Sequence, residues 1–274
     1  MALDLQDPAA ARAALAFLVE TACEAGAIAV GFFVPGARTT ATIATKHGGS
    51  PVTEADLLAN ACIERRLRQE FPEAGWLSEE TIDAPDRLAR RTVLIVDPID
   101  GTRGFIAGDP RWAVSIALVV DGRPVAGVVH APALAETYAA LLGEGATLNG
   151  RAIAASSRAD FEGARIAGPR PLIDRLVAAR HRLDIVPKIP SLAYRLVLIA
   201  SGALDLALVK EDAHDWDIAA ADLIMHEAGA ALCTRERQTP RYNEPVPSHG
   251  KLFAAPTRLL PALVEAARQA DRAL

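Results

Sequence analysis

Apolar residues recur at helical spacing from Ala14 through Leu15, Leu18, Val19, Ala22 and Ala25, and Asp7-Pro8 supplies an N-cap acid with proline in the first turn. The pattern predicts a helix ending near Phe33, before Pro35-Gly36. Thr39 to Thr45 is β-branched and polar and reads as a strand or extended hairpin. Thr53 is placed to cap a helix from Glu54 through Phe71. Gly75 to Thr81 predicts a short strand running into Glu79-Glu80, and Asp83 to Arg91 a charged, exposed linker. Val93-Leu94-Ile95-Val96 has four apolar residues, three of them β-branched, and reads as a buried strand. Residues 103–110 follow as a short helical turn or loop. Trp112 to Val120 and Val125 to His130 are strands joined by an Asp121-Gly122 hairpin signal, and Glu136 to Leu142 returns as a third.

The Gly-rich stretch 143–150 lacks the Gly-x-x-x-x-Gly-Lys-Ser/Thr pattern of a nucleotide loop and marks a structural boundary. Residues 1–150 therefore read as an α+β part with an antiparallel sheet, and residues 151–274 as an α/β part completing one catalytic unit. In the second part, strands at Ala164–Ala167, Ile185-Val186, Leu204–Val209, Ala230–Thr234 and Leu252–Ala255 alternate with helices. Those helices are Pro171–Ala179, Ser191–Ser201 (ended by Gly202), Asp215–Gly229 and a last one opened by Thr257-Arg258.

Composition narrows the function classes. The chain of 274 residues is 51% hydrophobic, long enough for one large domain or two close-packed ones. A formal charge of −5 argues against a sequence-independent nucleic-acid binder. The cysteines Cys23, Cys62 and Cys233 are widely spaced and read as buried thiols of a reducing cytoplasm. Met1-Ala2-Leu3-Asp4 has no basic n-region, so no signal peptide is expected. No uninterrupted apolar run reaches membrane-spanning length.

The chemistry concentrates where the buried strand ends, in Asp97-Pro98-Ile99-Asp100-Gly101-Thr102. Asp-Gly alone is an ordinary hairpin turn. Two carboxylates thrown from one strand end repel unless something positive joins them, and hard cations such as Mg²⁺ take such oxygens, the Ile99 carbonyl included. Asp56 falls in the first turn of a helix, where the dipole favours an acid whatever its use, so its local reading is a surface acid. Asp217, in the first turn after Asp215, invites the same reading. His226-Glu227 lacks the second histidine of a zinc helix. Glu79, Asp97, Asp100 and Asp217 brought to one place would require cations, and an oxygen-only set suits two or more Mg²⁺ ions rather than zinc. Such a pair, roughly 3.5–4 Å apart, suits phosphoryl transfer to water.

These motifs, with Ser50-Pro51-Val52-Thr53-Glu54-Ala55-Asp56, Ser78-Glu79-Glu80, Trp216-Asp217-Ile218-Ala219-Ala220 and Glu227-Ala228-Gly229, run in order over nearly the whole chain. The chain resembles the inositol monophosphatase superfamily of Mg²⁺-dependent, lithium-sensitive phosphatases. Within it, the chain looks most like the 3'(2'),5'-bisphosphate nucleotidases, which clear 3'-phosphoadenosine 5'-phosphate. The resemblance implies an α/β fold, a layered αβαβα sandwich. It implies that Glu79, Asp97 and the Ile99 carbonyl hold one Mg²⁺, that Asp97, Asp100 and Asp217 hold a second, and that Glu79 with waters holds a loose third. Thr102, supported by Asp56, would orient and help deprotonate a water near Glu79. Gly101 and Thr102 N–H groups would receive phosphate oxygens, and Lys46 would balance charge from a mobile loop. It implies a small phosphate ester as partner, no nucleic-acid polymer, no membrane, and a cytoplasmic monomer or homodimer.

The alternatives are an inositol phosphate or histidinol phosphate phosphatase, or a regulator binding metal or phosphate without turnover. Arg170, Lys188, Arg195 and Lys210, with Tyr194 and Trp216 for stacking, are candidates for a second phosphate and a base. Arg103-Gly104-Phe105 stands where the nucleotidases commonly carry Lys-Glu-Phe, and Gly104 is expected to loosen that loop.

Overall fold

A computed structural model describes residues 7–46 and 48–272; the Met1–Asp4 stretch expected to carry no signal lies outside them. Helix α1 (Pro8–Val30) leads to a small hairpin, β1 (Ile43–Thr45) and β2 (Pro51–Thr53), and then α2 (Glu54–Glu70). The next strands are β3 (Gly75–Ser78), β4 (Thr92–Asp100), β5 (Ala113–Val120), β6 (Arg123–Ala131), β7 (Glu136–Leu141), β8 (Ala146–Leu148) and β9 (Arg151–Ile153). They form one seven-stranded sheet in that spatial order, with β3 parallel to β4 and the rest antiparallel. A short helix, α3 (Thr102–Ala107), separates β4 from β5.

The remaining elements are β10 (Arg165–Ala167), α4 (Arg170–Ala178), β11 (Asp184–Ile185), α5 (Leu192–Ala200), β12 (Leu206–Val209), β13 (Ala213–His214), α6 (Asp215–Glu227), β14 (Ala230–Cys233), β15 (Ser248–His249), β16 (Leu252–Pro256) and α7 (Leu260–Arg272). Five of these strands make a second sheet in the order β11-β10-β12-β16-β14.

Side-chain alternation sets the layers. In β4, Leu94 and Val96 pack with Leu18, Ala22 and Ile63 of α1 and α2, whereas Val93 and Ile95 pack with Leu196, Ile218 and Ile224 of α5 and α6. Residues two apart share a face, so a strand covered on both faces must be apolar throughout. In the second sheet, Ala207, Val209 and Ala254 face the same α5/α6 layer, while Leu206, Leu208 and Phe253 meet α4 and α7. The order is helices, sheet, helices, sheet, helices, the layered αβαβα sandwich expected.

Three local expectations change. The first helix ends at Val30 rather than near Phe33, and Thr39 and Thr40 turn their hydroxyls onto the Phe32 carbonyl instead of joining a ladder. The 83–91 linker is not simply exposed: Arg87 is 2% exposed, with Asp83, Asn243 and the Glu244 carbonyl accepting its N–H groups. The first sheet runs through β9, across the division expected at residue 150. By length and composition α1 could cross a membrane, although Arg12, Glu20 and Glu24 interrupt its apolar run. Its Leu18, Ala22 and Ala25 stripe is fully buried in the core against α2 and the sheet.

Candidate active site

The end of β4 is built by a proline. Asp97 pairs with Ser115 and Asp100 with Ala113, so two residues of β4 oppose one of β5 across a bulge. Pro98 has no N–H for the ladder, and the Ile99 N–H donates to Asp97 Oδ1 at 3.0 Å instead. The bulge turns Asp97 and Asp100 towards one side. Gly101 then takes φ +92°, and a Cβ there would stand 3.0 Å from the Ser191 backbone nitrogen, so both conformation and space require glycine. The chain enters α3 at Thr102. Because β3 runs parallel to β4 and the Glu79 N–H donates to the Val96 carbonyl at 3.2 Å, Glu79 leaves its strand beside Asp97.

Two further acids arrive on helix starts. Thr53 and Asp56 form a capping box at α2: the Thr53 N–H donates to Asp56 Oδ2 at 2.7 Å, and the Thr53 hydroxyl donates to the same oxygen at 2.5 Å. Asp56 Oδ1 is left to accept from the Thr102 hydroxyl at 3.2 Å, and that hydroxyl also lies 3.1 Å from the Ile99 carbonyl. Asp217 repeats the arrangement at α6, where the His214 N–H donates to its Oδ2 at 2.7 Å. The surface-acid reading of Asp56 is corrected: the residue is fully buried beneath Thr102. A dipole-favoured acid looks the same in sequence whether its other oxygen meets water or a hydroxyl.

Asp97, Asp100 and Asp217 each offer a carboxylate oxygen within 4.8 Å of the others. Burial, then repulsion from Glu79, Asp100 and Asp217, holds Asp97 well above the usual carboxylate range. Burial, with Asp100 next, does the same to Asp217, against the His214 N–H. Burial lifts Asp100 to about 6, opposed by its hydrogen bonds from Ser191 and Ala193. Three oxygen donors that resist ionisation together fit a hard divalent cation, which removes the repulsion, and no sulfur or nitrogen donor stands among them. Glu79 lies outside that trio. Its Oε1 accepts from Lys46 Nζ at 2.7 Å, and Glu80 Oε1 accepts from the same ammonium at 2.7 Å. Lys46, expected to balance charge and counted among the substrate-side residues, is thus paired with Glu79 and Glu80.

Sequence reasoning missed Ser191. Its hydroxyl donates to Asp100 Oδ2 at 2.5 Å, and the Ala193 N–H donates to the same oxygen at 2.6 Å. Ser191 carries an N-cap signal for α5, but nothing in the local sequence points it at residue 100. Gly104 is also read anew: a Cβ there would lie 2.6 Å from the Pro190 ring, so the glycine seats α3 tightly instead of loosening it. Tyr194 is a core residue whose hydroxyl donates to Glu136 at 2.9 Å, and it is not free to stack on a ligand. Arg170 is engaged by Asp174.

A five-layered α/β sandwich with an oxygen-only acidic cluster and a hydroxyl backed by a buried carboxylate defines a metal-dependent phosphomonoesterase. A model of the inositol monophosphatase family matches residues 14–272. Inositol monophosphatase 2 of Solanum lycopersicum is 35% identical over 196 residues, 66% of this chain and 73% of that protein. The histidinol-phosphatase of Chlorobaculum parvum is 34% identical over 78% of this chain and 83% of its own length. The 3'(2'),5'-bisphosphate nucleotidase CysQ of Aggregatibacter actinomycetemcomitans is 31% identical over 74% and 79%. Among solved structures, the IMPase of Thermotoga maritima superposes with a TM-score of 0.82 at 26% identity, covering 94% of this chain and 98% of that one. The chain belongs to the inositol monophosphatase family.

Proposed function

We propose that this phosphatase acts on a nucleotide bearing two phosphates, 3'-phosphoadenosine 5'-phosphate, and the observation that carries this reading is Arg195. The arginine rises from the first turn of α5 behind Asp100 and Asp217, and its Nε is buried with no hydrogen-bond partner among the described residues. Burial lowers its pKa to about 10, against the pull of Asp100 and then Asp217. A buried Nε without an acceptor is costly, and a phosphate is the group that pairs with the partly exposed guanidinium it belongs to. The His214 and Trp216 rings stack at 4.5 Å, 2° from parallel, and give a flat surface at the residue before Asp217. Lys210 is exposed near the same acid.

In this reading Asp97, the Ile99 carbonyl, Asp100, Asp217 and Glu79 hold Mg²⁺. The ions, when bound, supply Lewis-acid polarisation of the ester and charge neutralisation. The chain's own residues do the rest. Thr102 orients a water, accepting its proton while donating its own hydroxyl proton to Asp56 Oδ1. The Thr53 N–H and hydroxyl hold Asp56 in place. The N–H groups of Gly101 and Thr102 face the transferred phosphoryl oxygens, and Arg195 takes the remote phosphate.

Exhaustive chelation is expected to abolish phosphate release, and Mg²⁺ to restore it. Ca²⁺ should not substitute, since it prefers larger, looser shells. Activity surviving chelation would remove the metal from the reading.

Substrate choice is tested by comparing kcat/KM for 3'-phosphoadenosine 5'-phosphate, inositol 1-phosphate and histidinol phosphate at one Mg²⁺ concentration. One charge-paired phosphate, at about 1.5–3 kcal/mol, corresponds to a preference of roughly tenfold or more for the nucleotide. Arg195→Ala should erase that preference. Equal values in the unaltered protein, or a preference for either single ester, would give the substrate to those alternatives. A uniform loss on all three esters in the variant would place Arg195 with the acids instead of the remote phosphate.

A further inference from the structure

Each acid of the trio, and Asp56 beside it, has one oxygen held and one left for the site, but the holders differ in kind. Asp97 is held by the Ile99 N–H two residues on, Asp56 by Thr53 and Asp217 by His214, each three residues back. These locks are local and form with the bulge or the helix start. Among the described residues, Asp100 is held only from far along the chain, by the Ser191 hydroxyl and the Ala193 N–H. Ser191 is fully buried, and its hydroxyl oxygen simultaneously accepts the Tyr194 N–H at 2.9 Å as the cap of α5. Donor and acceptor capacity of the one hydroxyl are therefore both engaged, which fixes its rotamer. Ser191 also packs directly on Gly101 at the β4–α3 corner, and its N–H donates to the Arg111 carbonyl at 3.3 Å in the connection from α3 to β5.

From this geometry we infer that Ser191 is a positioning residue for the metal site: it orients Asp100 so that Oδ1 alone faces the cation, and makes the site complete only when α5 is docked on the end of β4. The inference rests on the reading of Asp100 as a metal-facing carboxylate. With Ser191 removed, Asp100 keeps only the Ala193 N–H and can rotate away from Asp97 and Asp217. Residues that orient a metal ligand without touching the metal commonly change affinity by about 10–100-fold.

The test is equilibrium Mg²⁺ binding by calorimetry, together with melting temperature with and without Mg²⁺. The proteins compared are the unaltered chain, Ser191→Ala, Ser191→Cys and the cap control Asp7→Ala. Asp7 caps α1 through the Ala9 N–H and is not one of the clustered acids, so its loss reports what a missing cap alone does. Ser191→Ala is expected to weaken Mg²⁺ binding by about tenfold or more and to shrink the rise in melting temperature on adding Mg²⁺. Ser191→Cys, a weaker donor of nearly the same shape, should fall between. Asp7→Ala should lower melting temperature with Mg²⁺ affinity unchanged. Should Ser191→Ala not fold, Ser191→Cys carries the comparison. Unaltered protein that binds no Mg²⁺ would remove the metal reading itself. Strong binding in the unaltered chain, matched by the Ser191 variants, would leave that reading standing and overturn the role of Ser191.

Discussion

Thr102→Ala is expected to lower kcat by about 10³-fold, within the range for a positioned group that handles a proton, while Mg²⁺ binding stays close to that of the unaltered protein. The hydroxyl is buried and has one proton, with two acceptors near it, Asp56 Oδ1 at 3.2 Å and the Ile99 carbonyl at 3.1 Å. Donating that proton inward leaves the oxygen lone pairs for a water on the acid side. Alanine removes the acceptor without removing any carboxylate of the trio, so binding and turnover should separate. Thr102→Ser keeps the hydroxyl and should retain most of the rate. Asp56→Asn should show a milder version of the alanine effect, because its amide oxygen can still accept from Thr53. The measurements are kcat at saturating Mg²⁺ and calorimetric Mg²⁺ binding on the same samples. A rate with Thr102→Ala close to that of the unaltered protein would move the proton-handling role to another group.

Asp217→Asn should cost at least about 10²-fold in turnover, comparable to losing one strong transition-state stabiliser, and Asp100→Asn a similar amount. Unlike the threonine variant, these should bind Mg²⁺ more weakly, since each removes a charge from the trio. They should also raise the stability of the metal-free protein near neutral pH. The folded-state pKa values of Asp217 and Asp100 lie above the usual carboxylate value, so ionisation costs folding stability. That cost is absent at pH values below the unfolded pKa of about 3.9, grows as pH rises through the window up to the folded pKa, and is complete above it. A neutral asparagine carries none of it. Melting temperature without metal should therefore rise in the variants at pH 7.5, and most of that gain should be lost by pH 4. Near-normal turnover at saturating Mg²⁺ in either variant would sink the ligand assignment.

Much of the architecture is legible in local patterns. The run Val93–Val96 is apolar at every position because both sheet faces are covered, and that is visible without coordinates. Asp121-Gly122 takes positive φ at both residues, as the hairpin signal requires. Thr53 caps α2 and Asp7 caps α1 where the side-chain chemistry places them. Arg87 shows the opposite case. Its neighbours are charged, so the stretch reads as solvated, yet its acceptors come from residues 83, 243 and 244. Gly104 reads as slack until the Pro190 ring is found against it.

By itself, the sequence determined the order of the elements, because periodicity records which residues leave water, and the turn that carries Asp97 and Asp100, because Pro98 with Gly101 restricts the backbone wherever the chain goes. Only the tertiary structure decided which oxygen of each acid is free. A helix-start aspartate is favoured by the dipole whether it ends on the surface or under Thr102, and burial of Asp56 follows from α2 docking against β4 and α3. The partnership of Asp100 with Ser191, and the exposure of Asp217 to Arg195, join residues far apart in the chain. Their energies depend on distance and on the absence of water between them, and those two quantities exist only once α5 and α6 are packed on the first sheet.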